Sequence, residues 1–222
     1  MKVIVTCGPS FEPVDEVRRI TNFSTGELGA LLARELVDAG HEVICLKGSG
    51  ATHPGPLPGP NCHVRRFDTN DDLLELFREL SKNRDIGAVF HAAALCDYRV
   101  ATVMDEAGNA IQSEKIPSRS GPLTIHLTPA TKVIHELRAL FPESLLVGWK
   151  YELTGTREEA LAKVQRQFSE AHTDCCVLNG RAAGDDFTLC SAGECSRHAT
   201  KNDLCIALRR LVSKGEHSGT RA

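Results

Sequence analysis

Short apolar runs alternate with amphipathic segments along this chain, and that alternation limits its fold more than any other feature of the sequence. Strands that alternate with helices form a parallel sheet with helices on both faces. We therefore predict an α/β fold with a Rossmann-like, mostly parallel sheet. The predicted strands are 3–7, 42–46, 63–67, 87–92, 144–149 and 174–178, and the predicted helices are 25–39, 71–80, 131–140, 156–171 and 201–212.

Three segments depart from this simple alternation. The connection over 98–122 is too long for a plain crossover and contains the turn signal DEAGN, so we predict a β-hairpin arm or flap there. Residues 123–127 alternate as an exposed strand does, and a second hairpin is predicted around Gly193. The chain fits one domain over 1–212, followed by a disordered tail over 213–222.

The composition excludes several classes of protein. A net charge of −3 gives no basic surface for nucleic acid, and no apolar run is long enough to span a bilayer. The chain opens on a strand rather than a signal peptide. Its nine cysteines include no C-x-x-C spacing, so we expect them reduced, in a cytoplasmic protein. A zinc site that uses Cys190, Cys195 and His198 is conceivable, but a plain hairpin near the C-terminus is the stronger expectation.

The connection after the first strand is long and polar. A dinucleotide-binding fold places G-x-G-x-x-G directly after this strand, whereas here acids, two arginines and an asparagine come before the helix start Ser24-Thr25-Gly26. Free N–H groups and the helix dipole at such a start bind anions, and the paired arginines favour that interpretation. The alternative is that Ser24 or Thr25 is only an N-cap.

Polar or aromatic residues also follow other predicted strands, and ligands of parallel sheets bind beyond the carboxyl ends of the strands. Small residues at 92–94 let a flat ring approach the backbone. Asp97 can hold a ribose hydroxyl or a metal, or simply cap a helix. Lys115 lies in the returning part of the predicted arm, where it is either a charge at a phosphate or an ordinary surface lysine. Trp149 can stack on a base or close the core, and Asn179 ends the last parallel strand.

Five motifs in this order resemble the phosphopantothenoylcysteine synthetase family, also called phosphopantothenate–cysteine ligases. The motifs are GPS-x-EPVD-x-VR at 8–18, ITN-x-STG-x-x-G at 20–29, AAA-x-x-DY at 92–98, EKI at 114–116, and GWK with VLN at 148–150 and 177–179. Each motif alone is weak evidence, but their order over residues 1–212 makes the resemblance specific.

The resemblance implies a ligase that joins 4′-phosphopantothenate to the amino group of L-cysteine in coenzyme A biosynthesis. The carboxylate attacks the α-phosphate of ATP or CTP, pyrophosphate leaves, and cysteine displaces the nucleotide monophosphate, while Mg²⁺ neutralises the triphosphate. The resemblance also implies a homodimer, with the 98–122 arm closing or bordering the partner's site. Nucleic-acid and membrane partners are not expected, nor are a flavin and the decarboxylase domain of bacterial bifunctional members.

The same resemblance assigns the site residues. Asn22, Arg18 and Lys115 are the expected catalytic residues. Asn22 and Asn179 are expected to bind substrate, and no protein ligands are assigned to a metal. The expected nucleotide-binding residues are Gly8, Ser10, Ser24, Gly26, His91, Ala92, Ala93, Asp97, Lys115, Pro129, Ala130, Thr131, Lys132 and Trp149.

The chain departs from the bacterial members of this family at several places. It has KIPS at 115–118 for K-I-K-K, TPAT at 128–131 for N-P-D-I, and LNG at 178–180 for A-N-D. The first of these, with Lys150, is closer to eukaryotic-type enzymes, which tend to prefer ATP, whereas bacterial ones prefer CTP. Lys163 and Arg166 match later family lysines only loosely. One alternative is a non-catalytic nucleotide- or phosphate-binding relative. Another, disfavoured by the missing glycine fingerprint, is a dehydrogenase.

Overall fold

The computed structural model describes residues 1–56, 58–119, 121–184 and 186–218, with side chains described as far as Ser213. In chain order its elements are β1 (Lys2–Cys7), β2 (Phe11–Pro13), β3 (Arg19–Thr21), α1 (Glu27–Asp38), β4 (Glu42–Gly48), β5 (Cys62–Phe67), α2 (Asn70–Leu80), β6 (Ile86–His91), β7 (Tyr98–Met104), β8 (Thr124–Pro129), α3 (Val133–Leu140), β9 (Leu145–Tyr151), α4 (Arg157–Ala171), β10 (Cys175–Asn179), β11 (Phe187–Ser191), β12 (Glu194–His198) and α5 (Lys201–Ser218).

The central sheet has eight strands in the order β12-β11-β10-β9-β6-β1-β4-β5. The strands from β10 to β5 are parallel, and β11 and β12 add an antiparallel edge, so the predicted mostly parallel α/β fold is confirmed. From β1 the chain builds outwards to β5 and then returns to place β6 on the other side of β1. The strand order therefore reverses between β1 and β6, which is where sheets of this type form a ligand crevice.

Helices cover both faces of the sheet because its central strands are apolar on both sides. Helices α1 and α5 pack on one face, where Val5 meets Leu32 and Leu208 in one buried cluster. Helices α2 and α3 cover the opposite face around Ile4 and Phe77, and α4 packs beside α3 over β10. Each fully buried side chain of this size contributes about 1.5–3 kcal/mol, so the two layers fix the strand ends that carry the loops of the site.

Two short hairpins lie outside the central sheet. β2 pairs with β3 inside the long polar connection after β1. β7 pairs with β8 and forms the predicted arm. The predicted turn at 105–109 implies a return strand directly after it, whereas the strand that pairs with β7 begins at Thr124. The predicted turn at 105–109 is followed by a single bridge from Met104 to Ala110, and the long return strand is β8. All of β8 is exposed, which confirms the exposed strand predicted at 123–127.

The hairpin of β11 and β12 corrects one prediction about the cysteines. Cys190 and Cys195 lie opposite each other on the two strands and form a disulfide bond, so the expectation of nine reduced cysteines is wrong for this pair. Facing residues on antiparallel strands have neighbouring side chains, and the Cα atoms of this pair lie only 4.1 Å apart, which brings the two sulfur atoms within bonding distance. The hairpin interpretation is confirmed, and neither thiol of this pair is available to a metal. The other seven cysteines are free and buried.

Several helix boundaries differ from the prediction, most of them by one or two residues. Helix α1 begins at Glu27 rather than at residue 25, and α3 begins at Val133 rather than at residue 131. Helix α5 continues past residue 212 to Ser218, into the segment predicted as a disordered tail, and residues 219–222 of that tail lie outside the described residues. None of the described helices combines the length and the apolar content that a membrane span requires.

Candidate active site

The loops after β1 and β6 meet at the point where the strand order reverses. The pairing of the two strands continues beyond their ends, because Gly8 O accepts the Ala94 N–H at 3.0 Å and Ala94 O accepts the Ser10 N–H at 3.2 Å. Of the predicted nucleotide-binding residues, Gly8, Ala92 and Ala93 therefore lie together at the carboxyl edge of the sheet. Ala92 and Ala93 keep part of their surface open to solvent.

Gly8, Gly26 and Gly29 lie close together like the three glycines of a dinucleotide-binding fingerprint, although Gly8 is distant from the other two in sequence. Gly8 and Gly26 both adopt positive φ angles, and a Cβ on Gly26 would lie 3.1 Å from Gly8 Cα. A Cβ on Gly29 would lie 2.6 Å from Cys7 Cβ, so α1 packs closely on β1 because residue 29 has no side chain. Residues 9–25, which we call the insert, separate the first glycine from the second. The fingerprint is thus interrupted rather than missing.

The start of α1 corrects the N-cap interpretation. The N-cap residue is Gly26 rather than Ser24 or Thr25, and no side chain caps it. Thr25 Oγ1 accepts the Glu27 N–H at 3.2 Å from outside the cap position, and the Ser24 N–H donates to Asn22 O at 3.0 Å. A glycine-bounded helix start at this edge of the sheet is typical of phosphate-binding loops.

Asn22 joins the insert to the loop after β6. Its Nδ2 donates to Ala94 O at 3.1 Å and to Leu95 O at 2.9 Å. These two bonds use both donors of the amide, so Asn22 offers a ligand only an acceptor, Oδ1. The residue is exposed and does not cap α1. Asn22 therefore lies at the crevice with its side chain already oriented.

Asn70, the first residue of α2, is a buried connection that no motif of the sequence indicates. Its Oδ1 accepts from Ser10 Oγ at 2.7 Å, and its Nδ2 donates to Cys96 O at 2.8 Å and to Thr131 O at 3.1 Å. Ser10 Oγ also accepts the Cys96 N–H at 2.8 Å, and Asn70 and Ser10 are only 2% and 0% exposed. One amide therefore ties together the insert, the loop after β6 and the turn before α3. Ser10, predicted to bind nucleotide, is enclosed in this connection.

Replacing Asn70 should loosen these three segments together. We expect Asn70→Ala to lower the free energy of unfolding by about 3 kcal/mol, because it leaves a buried hydroxyl and two carbonyl groups without their partner. Urea denaturation measures this, with Asn83→Ala as the control, since Asn83 is exposed beyond the end of the same helix. Equal, small losses in the two variants would contradict the role given to Asn70.

Asp97 faces the turn before α3. Its carboxylate forms an ion pair with Lys132, and its backbone oxygen accepts the Ala130 N–H at 2.9 Å. Pro129 ends β8 directly opposite Tyr98. The side chains of Asp97 and Lys132 are 70% and 53% exposed, so the pair contributes only about 0–1 kcal/mol and leaves the carboxylate accessible to a ligand. The predicted residues at 129–132 are thus brought together with Asp97.

His91 lies beneath the crevice, inside the protein. It is 7% exposed, its Nδ1 lies 3.1 Å from Thr6 Oγ1, and its ring meets the edge of Phe77. Because Thr6 Oγ1 accepts the Ala93 N–H at 2.9 Å, its own proton is free to be donated to His91. Burial lowers the pKa of His91 to about 4. A neutral ring therefore supports the loop after β6 from within.

This buried imidazole should make stability depend on pH. Between pH 6.5 and 4 the unfolded chain binds a proton at residue 91 that the folded chain does not, so stability falls as pH falls, by about 1.4 kcal/mol per unit. We expect the unfolding free energy of His91→Gln to change less steeply over this range than that of the unaltered protein. Parallel curves for the two proteins would contradict this assignment.

Lys115 is exposed, but the insert holds the backbone on both sides of it. The Glu16 N–H donates to Glu114 O at 2.9 Å, and the Ile116 N–H donates to Asp15 Oδ2 at 3.1 Å. Nη1 and Nη2 of Arg18 both donate to Ile116 O at 3.1 Å. We call this group, Asp15, Arg18 and residues 114–116, the clasp. It brings the predicted catalytic residues Arg18 and Lys115 into one cluster, in which the backbone on both sides of Lys115 is hydrogen-bonded to the insert.

An open cavity borders the clasp, and only one of the two neighbouring arginines takes part in it. A cavity of about 660 Å³ lies beside it, lined by the insert and by residues 113–114. Arg19 does not join Arg18 in an anion site, because its guanidinium lies over the ring of Phe11, 4.8 Å from the centroid. Of the two paired arginines, only Arg18 therefore faces the Lys115 segment.

Trp149 and Asn179 lie farther along the carboxyl edge, on β9 and β10. Trp149 packs against the cluster beneath α1 and α5, which supports its core-closing role. Its indole N–H is buried, and within the described part of the chain it has no hydrogen-bond partner. Asn179 O accepts the Glu152 N–H at 2.9 Å, which ties together the loops after these two strands.

A parallel sheet that reverses its strand order beside a glycine-bounded helix start is the arrangement of Rossmann-type α/β domains. The family model for the DNA/pantothenate metabolism flavoprotein C-terminal domain matches residues 1–191, and the chain belongs to that family.

Known proteins of similar sequence and structure agree with this family. The chain is 30% identical over 179 residues to the coenzyme A biosynthesis bifunctional protein CoaBC of Thermococcus kodakarensis, covering 80% of this chain and 41% of the relative. It is also 30% identical to CoaBC of Vibrio cholerae over 219 residues, covering 98% of this chain and 47% of the relative. The chain thus spans less than half the length of these relatives. The crystal structure of the DNA/pantothenate metabolism flavoprotein from Streptococcus pneumoniae superposes with a TM-score of 0.85 at 24% identity, covering 96% of this chain and 99% of that one.

Proposed function

We propose that this protein is a ligase that joins 4′-phosphopantothenate to L-cysteine at the expense of ATP or CTP. The family, the relatives named for coenzyme A biosynthesis and the five sequence motifs support this proposal. The observation that carries it is the position of the insert, which orients Asn22 at the crevice and holds the backbone around Lys115. Simple nucleotide binding requires no such element between the glycines of the fingerprint.

The proposed reaction activates a carboxylate before an amine attacks it. A carboxylate oxygen attacks the α-phosphate, the bond from that phosphorus to the bridging oxygen breaks, and pyrophosphate leaves. The cysteine amine then attacks the acyl carbon, loses a proton and displaces the nucleotide monophosphate. Charge accumulates at the α-phosphate in the first step, where a positioned cation stabilises the transition state. Lys115, exposed but held at its backbone, is suited to that role.

Asn22 and Arg18 are proposed to bind the acyl part of the intermediate. Asn22 Oδ1 can accept a hydrogen bond from a hydroxyl or amide group, both of which phosphopantothenate carries. Arg18 supplies a second positive charge near Lys115, and Asn179 is proposed as a further substrate contact. The nucleotide is placed over Gly8, Ser24, Gly26, Ala92, Ala93, Asp97 and the turn 129–132, with Trp149 at its far side.

Mg²⁺ is proposed to enter the site together with the nucleotide. The described residues include no group of three or more His, Cys, Asp or Glu side chains that could hold a metal ion. Mg²⁺ keeps several waters and readily uses phosphate oxygens as ligands. The triphosphate would therefore hold the ion, which would neutralise the leaving pyrophosphate.

Pyrophosphate release with ATP and with CTP, each with and without phosphopantothenate and cysteine, tests the proposal. A ligase releases pyrophosphate only when phosphopantothenate is present, and it forms the nucleotide monophosphate when cysteine is added. A non-catalytic relative would bind a nucleotide without releasing pyrophosphate, and that result would overturn the proposal. Comparing the two nucleotides at equal concentration identifies the preferred one.

We further propose that the protein acts in the cytoplasm. Its seven free cysteines are all buried. Reducing compartments such as the cytoplasm keep cysteines as free thiols, so these seven residues fit that location. The disulfide of the C-terminal hairpin is the feature that argues against this location. Alkylation of the protein in its native cells without added reductant, followed by mass spectrometry, is the direct test. Alkylated Cys190 and Cys195 would support the cytoplasm, and an intact bond would contradict it.

We also propose a homodimer formed through the insert and the β7–β8 arm. Exposed large apolar side chains concentrate on these two projections rather than on the helices that cover the sheet. They include Val17, Ile20, Phe23, Tyr98, Ile125 and Leu127. Exposed apolar side chains on projecting hairpins need a cover, and a second copy with a two-fold axis is the commonest one. The projections carry the clasp, so the arm would close or border the partner's site.

A charge placed on this surface should dissociate the dimer. We expect Leu127→Asp to raise the dissociation constant of the dimer by at least about tenfold, because a carboxylate would be buried in an apolar contact. Light scattering over a dilution series measures this. Leu153→Asp is the matched control, since both leucines are 45% exposed but Leu153 follows β9 and belongs to neither the insert nor the arm. A fully active monomer at micromolar concentration would rule the dimer out.

A further inference from the structure

The carboxylate of Asp15 is the centre of the clasp. Oδ1 accepts the Val17 N–H at 2.9 Å and the Arg18 N–H at 2.7 Å, which closes the turn between β2 and β3. Oδ2 accepts from Arg18 Nη1 at 2.5 Å and from the Ile116 N–H at 3.1 Å. The side chain of Asp15 is 0% exposed, whereas that of Arg18 is 42% exposed. One oxygen therefore shapes the turn, and the other joins the turn to the Lys115 segment.

The two functions of this carboxylate require its ionised form. Burial alone would raise the pKa of Asp15, but the N–H donors of Val17, Ile116 and Arg18, with the Arg18 charge, hold that pKa below its ordinary value. An ionised carboxylate accepts from all four donors at once, which a neutral amide of the same shape cannot do. Ile116 is itself 2% exposed, so the segment is held at its side chain as well as at its backbone.

We propose that Asp15 is the positioning residue that sets Lys115 and Arg18 in their working arrangement. This inference deepens the proposed ligase function and rests on it. A lysine on a loose segment samples many positions, and placing its charge at the reacting phosphate would cost entropy in each turnover. Asp15 removes part of that cost, because it fixes the backbone next to Lys115 and the guanidinium of Arg18 with a single oxygen.

Two substitutions separate the roles of the two oxygens. Asp15→Asn keeps the size of the side chain but places N–H donors against Ile116 and Arg18, which are donors themselves. Asp15→Ser keeps a hydroxyl that can close the turn and removes the second oxygen altogether, so it remains informative if the first variant folds poorly. Asp38→Asn is the control, since Asp38 is an exposed aspartate at the far end of α1.

Limited trypsin digestion gives a readout that needs no enzymatic activity. The peptide bond after Lys115 is protected by the clasp, because the Ile116 N–H and O are both engaged. Mass spectrometry of the peptides should show cleavage after Lys115 at least about tenfold faster in both Asp15 variants than in the control, when each protein is digested well below its own melting temperature so that only local opening is measured. An unchanged cleavage rate would overturn the proposal even if the protein proved inactive in the ligase assay.

Steady-state pyrophosphate release gives the second readout. We expect kcat to fall about tenfold to a hundredfold in both Asp15 variants, the effect of losing a charge-assisted contact, while KM for the nucleotide stays close to that of the control. A purely structural role would lower the melting temperature and leave kcat per folded molecule unchanged, and that result would also overturn the proposal. If the unaltered protein shows no activity, the ligase function fails, and the digestion alone decides whether Asp15 holds the segment.

Discussion

Lys115→Gln should lower kcat for pyrophosphate release by about a hundredfold or more while the melting temperature stays unchanged. The side chain is exposed, so its removal leaves no cavity. The backbone contacts of the clasp involve the neighbouring residues and survive the substitution. The variant therefore loses the charge without losing the segment, which is the cleanest way to separate chemistry from structure.

The control for this experiment is Lys82→Gln, which removes the same charge from an exposed position after α2. Its turnover should match that of the unaltered protein, because that end of the helix lies at the opposite edge of the sheet from the crevice. Near-normal turnover in Lys115→Gln would show that the lysine is an ordinary surface residue. If the melting temperature of Lys115→Gln falls together with its turnover, the lysine makes a structural contact that supports the fold.

Asn22→Asp should lower formation of phosphopantothenoylcysteine by about a hundredfold or more, with a loss of unfolding free energy of only about 1 kcal/mol. The amide donates to two backbone carbonyls, and a carboxylate would set negative charge against both of them as well as against the acyl-phosphate. The loop after β6 would then shift, and the intermediate would be repelled. Quenched assays that separate acyl-nucleotide from product measure which step fails.

Asn61→Asp provides the matched control, since it introduces the same charge on an exposed residue next to β5. Comparing Asn22→Asp with Asn22→Ala then separates repulsion from the loss of the two hydrogen bonds. If repulsion is the cause, Asn22→Asp should form the product more slowly than Asn22→Ala. A large fall in melting temperature with an unaltered rate would instead show that Asn22 serves only to join the insert to its neighbouring loop.

The central fold could be predicted from the sequence because its strands are continuous apolar runs and its helices carry a regular apolar stripe. The hairpin of β2 and β3 could not, since its strands are three residues long and largely exposed. The strand that pairs with β7 could not be predicted either, because the turn at 105–109 indicates a return strand directly after it. Pairing with β8 depends on tertiary contacts that no local pattern specifies.

The site was predictable only in part. Family motifs indicate Asn22, Arg18 and Lys115, but nothing local predicts that the insert holds residues 114–116. Asn70 has the position of an ordinary helix-start residue, and its three partners come from distant loops. The disulfide of the C-terminal hairpin was missed because a five-residue spacing matches no redox motif, although facing positions on adjacent strands permit the bond.

The two ends of the insert lie beside each other, because a Cβ on Gly26 would be 3.1 Å from Gly8 Cα. A chain without residues 9–25 could therefore pass from β1 to α1 with little movement of either element. Under the proposed ligase function, exchanging residues 9–25 for the corresponding segment of a relative should change the rate of acid activation more than it changes nucleotide binding.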